Sequence, residues 1–444
     1  MAKIGFVSLG CPKNLVDSEV MLGLLTRHGH EITATQSEAE IIVVNTCGFI
    51  ESAKQESIDT ILEMAEQKVS GNCRRLVVAG CLVERYRREI LEQIPEVDAV
   101  IGTNQIPQIL DVCSDQLVRE IPVNGQAPYL YTDSDPRLLT TPSYSAYLKI
   151  AEGCDHPCTF CVIPTMRGRF RSRTMESILA EARRLVAGGV RELNLIGQDT
   201  TMYGWDLGNR QGLAQLIREL GKIEGLPWIR SLYTYPNTLY PELLRAIAET
   251  PTACKYIDIP LQHVSSRVLK RMKRGGNRMS LEKLVGRIRA AIPAVAIRTT
   301  MIVGFPGEAE EDYRELLDFV SNVQFDRLGV FSYSDEEGSG ANDLDDKVPE
   351  ELKDERRDRL MKLQARISRR SNRQLVRQKH PVLIEGPSAE SDLLWQGRLS
   401  TQAPDIDGVV YLNDGINDGV ESGQIREVLI TEVFDYDLVG NVAR

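Results

Sequence analysis

Along the first 110 residues, short apolar runs alternate with longer stretches whose apolar positions recur at helical spacing. The short runs are rich in Val and Ile and lack a polar alternation, the pattern of strands covered on both faces. They predict strands over Ile4–Leu9, Glu40–Asn45 and Arg75–Ala79. Between them, Val16–His28 and Ile50–Lys68 have the period of amphipathic helices. Strand and helix in turn make a parallel sheet with right-handed crossovers. A stretch rich in Pro, Thr and Asp, from Val123 to Ser143, has the composition of a linker.

The same alternation recurs on a longer scale. Strands are expected over Ala146–Ala151, Arg191–Ile196, Ile229–Tyr233, Tyr256–Ile259, Ala296–Val303 and Leu328–Tyr333, with helices between them. Six such units form either an open doubly wound sheet or a partial barrel, and in both the chemistry sits at the carboxyl ends of the strands. Pro349–Lys379 is helical and basic, and its 353–379 part has eleven bases against three acids. That is the pattern of a solvated helix joining two domains. Short β patterns with Gly and Asp-Gly turns fill the remainder, as in a small β-barrel. The expected class is α/β, in three units. An N-terminal parallel α/β domain covers 1–118, a partial (β/α)6 barrel core covers 140–370, and a small antiparallel β-barrel covers 376–444.

Composition narrows the setting. The 444 residues are 42% hydrophobic and 26% charged, ordinary for a globular protein. A net charge of −10 argues against coating nucleic acid by bulk charge. No run of 18 apolar residues predicts a membrane span, and the N-terminal apolar run breaks too early for a signal peptide. A cytoplasmic location with reduced thiols is therefore expected. Nine cysteines are then read as metal ligands, catalytic groups or core residues.

Two sets of three stand out. Cys154, Cys158 and Cys161 form C-x3-C-x2-C directly after the strand AYLKIAEG. Three thiolates in one tight loop are ligands for an iron–sulfur cluster, and three ligands leave one iron of a four-iron cube open. The alternative is zinc, which wants four closed ligands; His156 lies inside the loop with Pro157 behind it. The second set is dispersed. Cys11, Cys47 and Cys81 follow the strands KIGFVSLG, IIVVNT and RLVVAG, at intervals close to one βαβ unit. The carboxyl ends of parallel strands share one sheet edge, so these thiols can converge there. The alternative is three unrelated core cysteines. Cys73, Cys113 and Cys254 lack this placement and read as core thiols.

The loop resembles the radical S-adenosylmethionine superfamily, whose signature has an aromatic residue before the last cysteine; Phe160 fills that place. With the dispersed triplet, the whole chain resembles the methylthiotransferases. The strings VSLGCPKNLVDSE (7–19), NTCGFI (45–50), EGCDHPCTFCVIPTMRG (152–168), IGQDTTMYG (196–204), DIPLQH (258–263) and GFPGE (304–308) carry the likeness. They are most similar to the branch that modifies an aspartate of small-subunit ribosomal protein S-twelve. The branch that modifies the adenosine beside the anticodon has Gln-Met where Pro12-Lys13 stand here. The resemblance implies a radical core, a C-terminal TRAM barrel and two [4Fe-4S] clusters, one on each cysteine triplet. It also implies two molecules of S-adenosylmethionine, one as methyl donor and one as radical source, for insertion of a methylthio group at Cβ of the aspartate. An electron donor of flavodoxin or ferredoxin type goes with it. The substrate is then a basic ribosomal protein, free or in an assembled particle. The barrel agrees with that partner: from Pro381 onward twelve acids face three bases, a net of −9. Such a surface repels phosphate and attracts a basic protein. Transfer RNA modification is the runner-up, and a non-catalytic electron carrier is the alternative from another class.

For S-adenosylmethionine contacts, besides Phe160, the strand ends offer Gln198, Asp199, Gln262, Arg298 and Gly304. Arg298 is expected to pair with the cofactor carboxylate, and Gly304 to let backbone approach closely. Barrel packing and turn geometry are the alternative for each. Arg167, Arg169, Arg171 and Arg173 face either substrate or solvent, and Tyr203 and His263 are candidate pocket residues.

Overall fold

The computed structural model describes residues 1–114, 119–120, 129–416 and 419–443. The N-terminal sheet has five strands, β1 (Lys3–Ser8), β2 (Glu31–Thr33), β3 (Ile41–Thr46), β4 (Arg75–Gly80) and β5 (Ala99–Ile101). All are parallel, in the order β2-β1-β3-β4-β5. β3 and β4 are buried at every position, which is why their sequences show no alternation. β2 and β5 have three residues each, too few for a pattern to reveal. The first helix, Pro12–Arg27, starts earlier than its apolar spacing suggests. Pro12 occupies its first turn, where a missing N–H costs nothing.

The expected N-terminal unit ends at 118, and its last four residues lie outside the described residues, as do 123–128 of the expected linker. The described remainder of that linker is a pinned strap. Tyr131 is buried, and Arg137 donates to Glu19 at 2.6 Å and to Glu181 at 2.9 Å. At the crossing with the first helix, a Cβ on Gly23 would lie 2.4 Å from the Pro136 carbonyl oxygen. Composition marked the strap as loop but could not show what ties it down.

The core strands are β6 (Ser145–Lys149), β9 (Glu192–Ile196), β10 (Trp228–Ser231), β11 (Tyr256–Asp258), β12 (Ala296–Val303) and β13 (Arg327–Ser332). β7 (Ala151–Glu152) and β8 (Arg171–Ser172) form a small antiparallel pair beside them. Parallel sheets β6-β9-β10 and β11-β12-β13 are joined by the parallel bridge Ile229–Ala253 and by Cys254 N–H donating to the Ile229 carbonyl at 2.8 Å. Spatial order follows chain order with no reversal, so the core is a partial barrel and not a doubly wound sheet. Leu193, Leu195, Ile257 and Ile297 pack with the surrounding helices. The alternate positions carry Glu192, Asn194, Arg230, Asp258 and Arg298, which gives the other face an unusually polar character. The basic helix, Glu350–Arg373, buries Leu360 and Ile367 in the same core.

The C-terminal strands β14 (Lys379–Ser388), β15 (Ser391–Leu399), β16 (Val410–Asp414), β17 (Ile425–Val433) and β18 (Leu438–Val442) close in the order β14-β15-β16-β18-β17. Four pairings are antiparallel and β16–β18 is parallel. A closed ring of five cannot alternate direction throughout, so one parallel pair is required.

The loop after β15 reaches into the amino end of the core. Tyr147 donates to Asp405 at 2.8 Å, Tyr256 to Asp407 at 2.7 Å, and Arg230 to the Ser400 carbonyl at 2.7 Å. Under them, buried Glu192 accepts from Arg398 at 2.7 Å and from Arg230 at 3.0 Å. Burial works to raise the Glu192 carboxyl, but Arg398 and Arg230 outweigh it and hold the group at about 2. A depressed folded pKa stabilises above the unfolded value and ceases to do so as pH falls through the folded one. Glu192→Gln is expected to cost about 3 kcal/mol at neutral pH, because it leaves buried Arg230 without its carboxylate and Arg398 with Glu385 alone. The gap to wild type in urea unfolding should narrow as pH drops from about 5 toward 2.

Candidate functional site

The dispersed triplet meets at the carboxyl edge of the N-terminal sheet. β1, β3 and β4 run in register up to Ser8–Asn45 and Thr46–Gly80, so Cys11, Cys47 and Cys81 leave the sheet side by side. Cys11 caps the first helix, and Cys81 begins the helix Cys81–Gln93. Two glycines permit the approach. A Cβ on Gly10, at φ +87°, would lie 2.8 Å from the Cys47 Cβ and 3.2 Å from its Sγ. One on Gly48 would lie 2.9 Å from the Leu82 Cα, next to Cys81. The thiols also act on one another. Burial pushes Cys81 up to about 12 against the pull of Arg167, and Cys11 and Cys47 add to the rise. Cys47 is raised too, chiefly by burial and partly by Cys11. Burial also works upward on Cys11, yet Lys13 and Arg167 bring it below its usual value.

The second triplet lies in the loop between β7 and the short helix Ile163–Arg167. Cys154 N–H donates to the Gly168 carbonyl at 3.1 Å and Cys161 N–H to the Cys158 carbonyl at 3.2 Å, which folds the loop on itself. Burial pushes Cys154 up to about 11 and Cys161 to about 12, with Cys158 adding to both. Arg274 Nη1 stands 3.6 Å from the Cys158 Sγ. His156 does not turn toward the thiols as a fourth ligand. Its ring stacks on Tyr235 at 3.6 Å, and its Nε2 meets Asp199 at 2.6 Å. Among the described residues, no three His, Cys, Asp or Glu side chains are arranged to hold one metal ion.

A cavity of about 240 Å³ opens beside the loop. Phe160 and Gln262 line it, with Phe49 from the N-terminal unit and Ile302, Phe331 and Tyr333 from the core. Gln262 sits at φ +72°, and its Oε1 is buried without a partner. Of the residues expected to touch cofactor, the structure brings Phe160 and Gln262 together here. Gln198 and Asp199 face the cysteine loop from another side, where Gln198 donates to Glu152 at 2.5 Å and Asp199 holds His156. Arg298 lies elsewhere: it is the third residue of β12, paired with Asp258 at 3.2 Å and with Asp407 of the C-terminal barrel at 3.6 Å. Its guanidinium is therefore committed to the barrel floor and not to a cofactor carboxylate. Gly304 follows the end of the same strand, at φ +73°. Its N–H donates to Glu308 at 2.7 Å, and a Cβ there would lie 2.2 Å from the Lys353 Cγ. It makes room for the basic helix. Tyr203 and His263 are buried and are not among the cavity's lining residues.

Sequence reasoning underrated two cations. Arg167, on the short helix after the loop, donates to the Cys81 Sγ at 3.2 Å and to Asn14 at 2.8 Å, and also pairs with Asp17. It thus ties the loop of one triplet to the thiols of the other. Lys13 projects from the first helix over the Tyr233 ring, with Nζ 3.2 Å from the centroid. Tyr233 has φ +59°, a strained conformation for an aromatic residue. A cation directly after Cys11-Pro12, or in the helix after Cys161, is a signal that the sequence does carry. Arg173, by contrast, is buried against Glu181, and Arg169 is exposed.

Known proteins match along the whole length. Residues 3–102 match the uncharacterized protein family UPF0004, 148–320 the radical SAM superfamily, and 376–443 the TRAM domain. The chain is 55% identical to the ribosomal protein uS12 methylthiotransferase RimO of Solibacter usitatus, over 99% of this chain and 94% of that one. It is 52% identical to the protein of that name from Geobacter sulfurreducens, over 99% and 98%. Among solved structures, the radical S-adenosylmethionine methyltransferase TsrM from Kitasatospora setae, with cobalamin and a [4Fe-4S] cluster bound, aligns with TM-score 0.54. That alignment covers 75% of each chain at 13% identity and speaks for the fold alone. With full-length identity of this order to the curated relatives, the chain belongs to the ribosomal protein uS12 methylthiotransferase family.

Proposed function

We propose that the chain inserts a methylthio group at Cβ of an aspartate in ribosomal protein uS12, as a radical S-adenosylmethionine methylthiotransferase. The observation that carries this is the pair of thiol triplets on facing units, joined through Arg167. Cys154, Cys158 and Cys161 would hold the radical [4Fe-4S] cluster, and Cys11, Cys47 and Cys81 the auxiliary one. The residues fit such groups: each set has three thiols and a cation beside it, and the Gly10 approach leaves room for no larger side chain. When bound, the clusters supply one-electron reduction of S-adenosylmethionine and a sulfur to be methylated.

The chain's own residues orient and exclude. Phe160, Ile302 and Phe331 offer apolar walls for the adenosine part of the cofactor, and the unpartnered Gln262 oxygen accepts from a donor on it. Arg167 and Arg274 offset the negative charge that ligated thiolates bring into a buried site. The acidic barrel attracts a basic ribosomal protein. Electrons come from a flavodoxin- or ferredoxin-type donor. Among the described residues no helix is long and apolar enough to cross a membrane. The transfer RNA reading has no such support, since the relatives are named for the ribosomal protein.

Two measurements test this reading. The reconstituted enzyme, given uS12, S-adenosylmethionine, sulfide and reductant, should add one methylthio group to an aspartyl peptide. A peptide of unchanged mass, or the modified nucleoside from a parallel assay with transfer RNA, would refute it. Wild type should bind about eight irons per chain. Replacing Cys154, Cys158 and Cys161 by Ala, or Cys11, Cys47 and Cys81 by Ala, should each leave about four. Gly10→Ala should lower iron in the auxiliary site alone, checked by iron assay and electron paramagnetic resonance.

A further inference from the structure

We propose that Lys13 and Tyr233 form the site that grips the carboxylate of the substrate side chain. The inference rests on the aspartyl substrate of the preceding section and adds the residues that select it.

Buried ammonium groups in this protein have carboxylate partners. Lys54 pairs with Glu336 at 3.2 Å, Lys149 with Glu152 at 2.6 Å, and Lys353 with Glu350 at 2.6 Å. Lys13 is the exception: it is 8% exposed, and no carboxylate among the described residues lies within ion-pair distance. A buried cation without a carboxylate partner is costly, and a π-face eases that cost without cancelling the charge. Tyr233 supplies that face and holds Nζ in place. A substrate carboxylate would give this ammonium the partner that Lys54, Lys149 and Lys353 already have. Lys13 also helps Arg167 to hold the Cys11 thiol below its usual value, so it serves the auxiliary triplet as well, but a thiol two residues away is not the carboxylate that the other buried ammonium groups have.

Position supports the same assignment. Lys13 stands two residues past Cys11, at the edge of one triplet. Tyr233 and Tyr235 follow β10 at its carboxyl end, and Tyr235 stacks on His156 within the loop of the other triplet. The ammonium therefore lies between the two sites that must both reach the reacting carbon. In an aspartyl side chain, Cβ is bonded directly to the carboxylate carbon. A cation that holds the carboxylate, with the Tyr233 hydroxyl as second donor, thereby holds Cβ between them.

The test compares binding of two substrates to the unreduced holoenzyme: uS12 with its target aspartate intact, and uS12 with asparagine there. Wild type should bind the first about ten- to a hundredfold more tightly, the range expected for a hydrogen bond to a charged group. Lys13→Met should bring that ratio near one, and Lys13→Arg should keep part of it. A wild-type ratio near one overturns the proposal, as does a ratio unchanged in Lys13→Met. Iron content is measured alongside, and if Lys13→Met loses its auxiliary iron the wild-type ratio decides. Failure of the underlying reading looks different: wild type adds no methylthio mass to the intact protein, whatever the binding ratio, and the proposal falls with it.

Discussion

Asp17, Lys149, Glu152 and Arg167 form a buried charge network, and the placement of every chemical group depends on it. Asp17 comes from the first helix, Lys149 from the end of β6, Glu152 from β7, and Arg167 from the helix after the cysteine loop. Burial alone would raise the Glu152 carboxyl, but Lys149 and Arg167 hold it well below the ordinary carboxylate range. Networks of this kind are poor sources of net stability, because desolvation cancels most of the attraction. Their value is geometric: few alternative dockings satisfy all four charges. Here they fix the N-terminal sheet edge against the mouth of the barrel, and so set one thiol triplet opposite the other.

A second buried network works at the opposite end. Glu192, Arg230 and Arg398 join the amino end of the barrel to the C-terminal unit, whose loop fills the floor with Asp405 and Asp407. An incomplete barrel lacks the closed layers of side chains that fill a full one. The C-terminal unit therefore does structural work at the floor, where Asp405 and Asp407 are engaged with the core. Both ends of the core are closed by charge, and the polar inward positions follow from that.

This explains which parts of the site the sequence could disclose. The convergence of Cys11, Cys47 and Cys81 was legible because βαβ spacing and parallel pairing place strand ends along one edge whatever the tertiary details. The compact C-x3-C-x2-C loop was legible because its spacing is local. Phe160 and Gln262 sit at the cavity for similar reasons, one inside the loop and one just past a strand end. Arg298 was misjudged because β12 has eight residues and Arg298 is the third, close to the floor. Its partner Asp407 lies more than a hundred residues away in another unit, a contact no local pattern encodes. At Gly304 the side chain that excludes a Cβ belongs to the distant Lys353, a further contact no local pattern encodes.

Lys13 shows where local and distant information have to meet. In the sequence it is one lysine near the start of a helix, and such a residue is ordinarily solvated. Only the docking set by Asp17, one helical turn further on, turns that face inward and brings Nζ over Tyr233. The same docking would bury any residue at position 13, so a charge there is tolerated only if something offsets it. Tyr233 offsets part, in a backbone conformation unfavourable for its type. Two unfavourable features meet at one contact, a buried cation without a carboxylate partner and a strained aromatic residue, and folding alone accounts for neither. The Cys11 thiol, which Lys13 helps to hold below its usual value, answers part of that charge, and a carboxylate brought by the substrate would answer the rest.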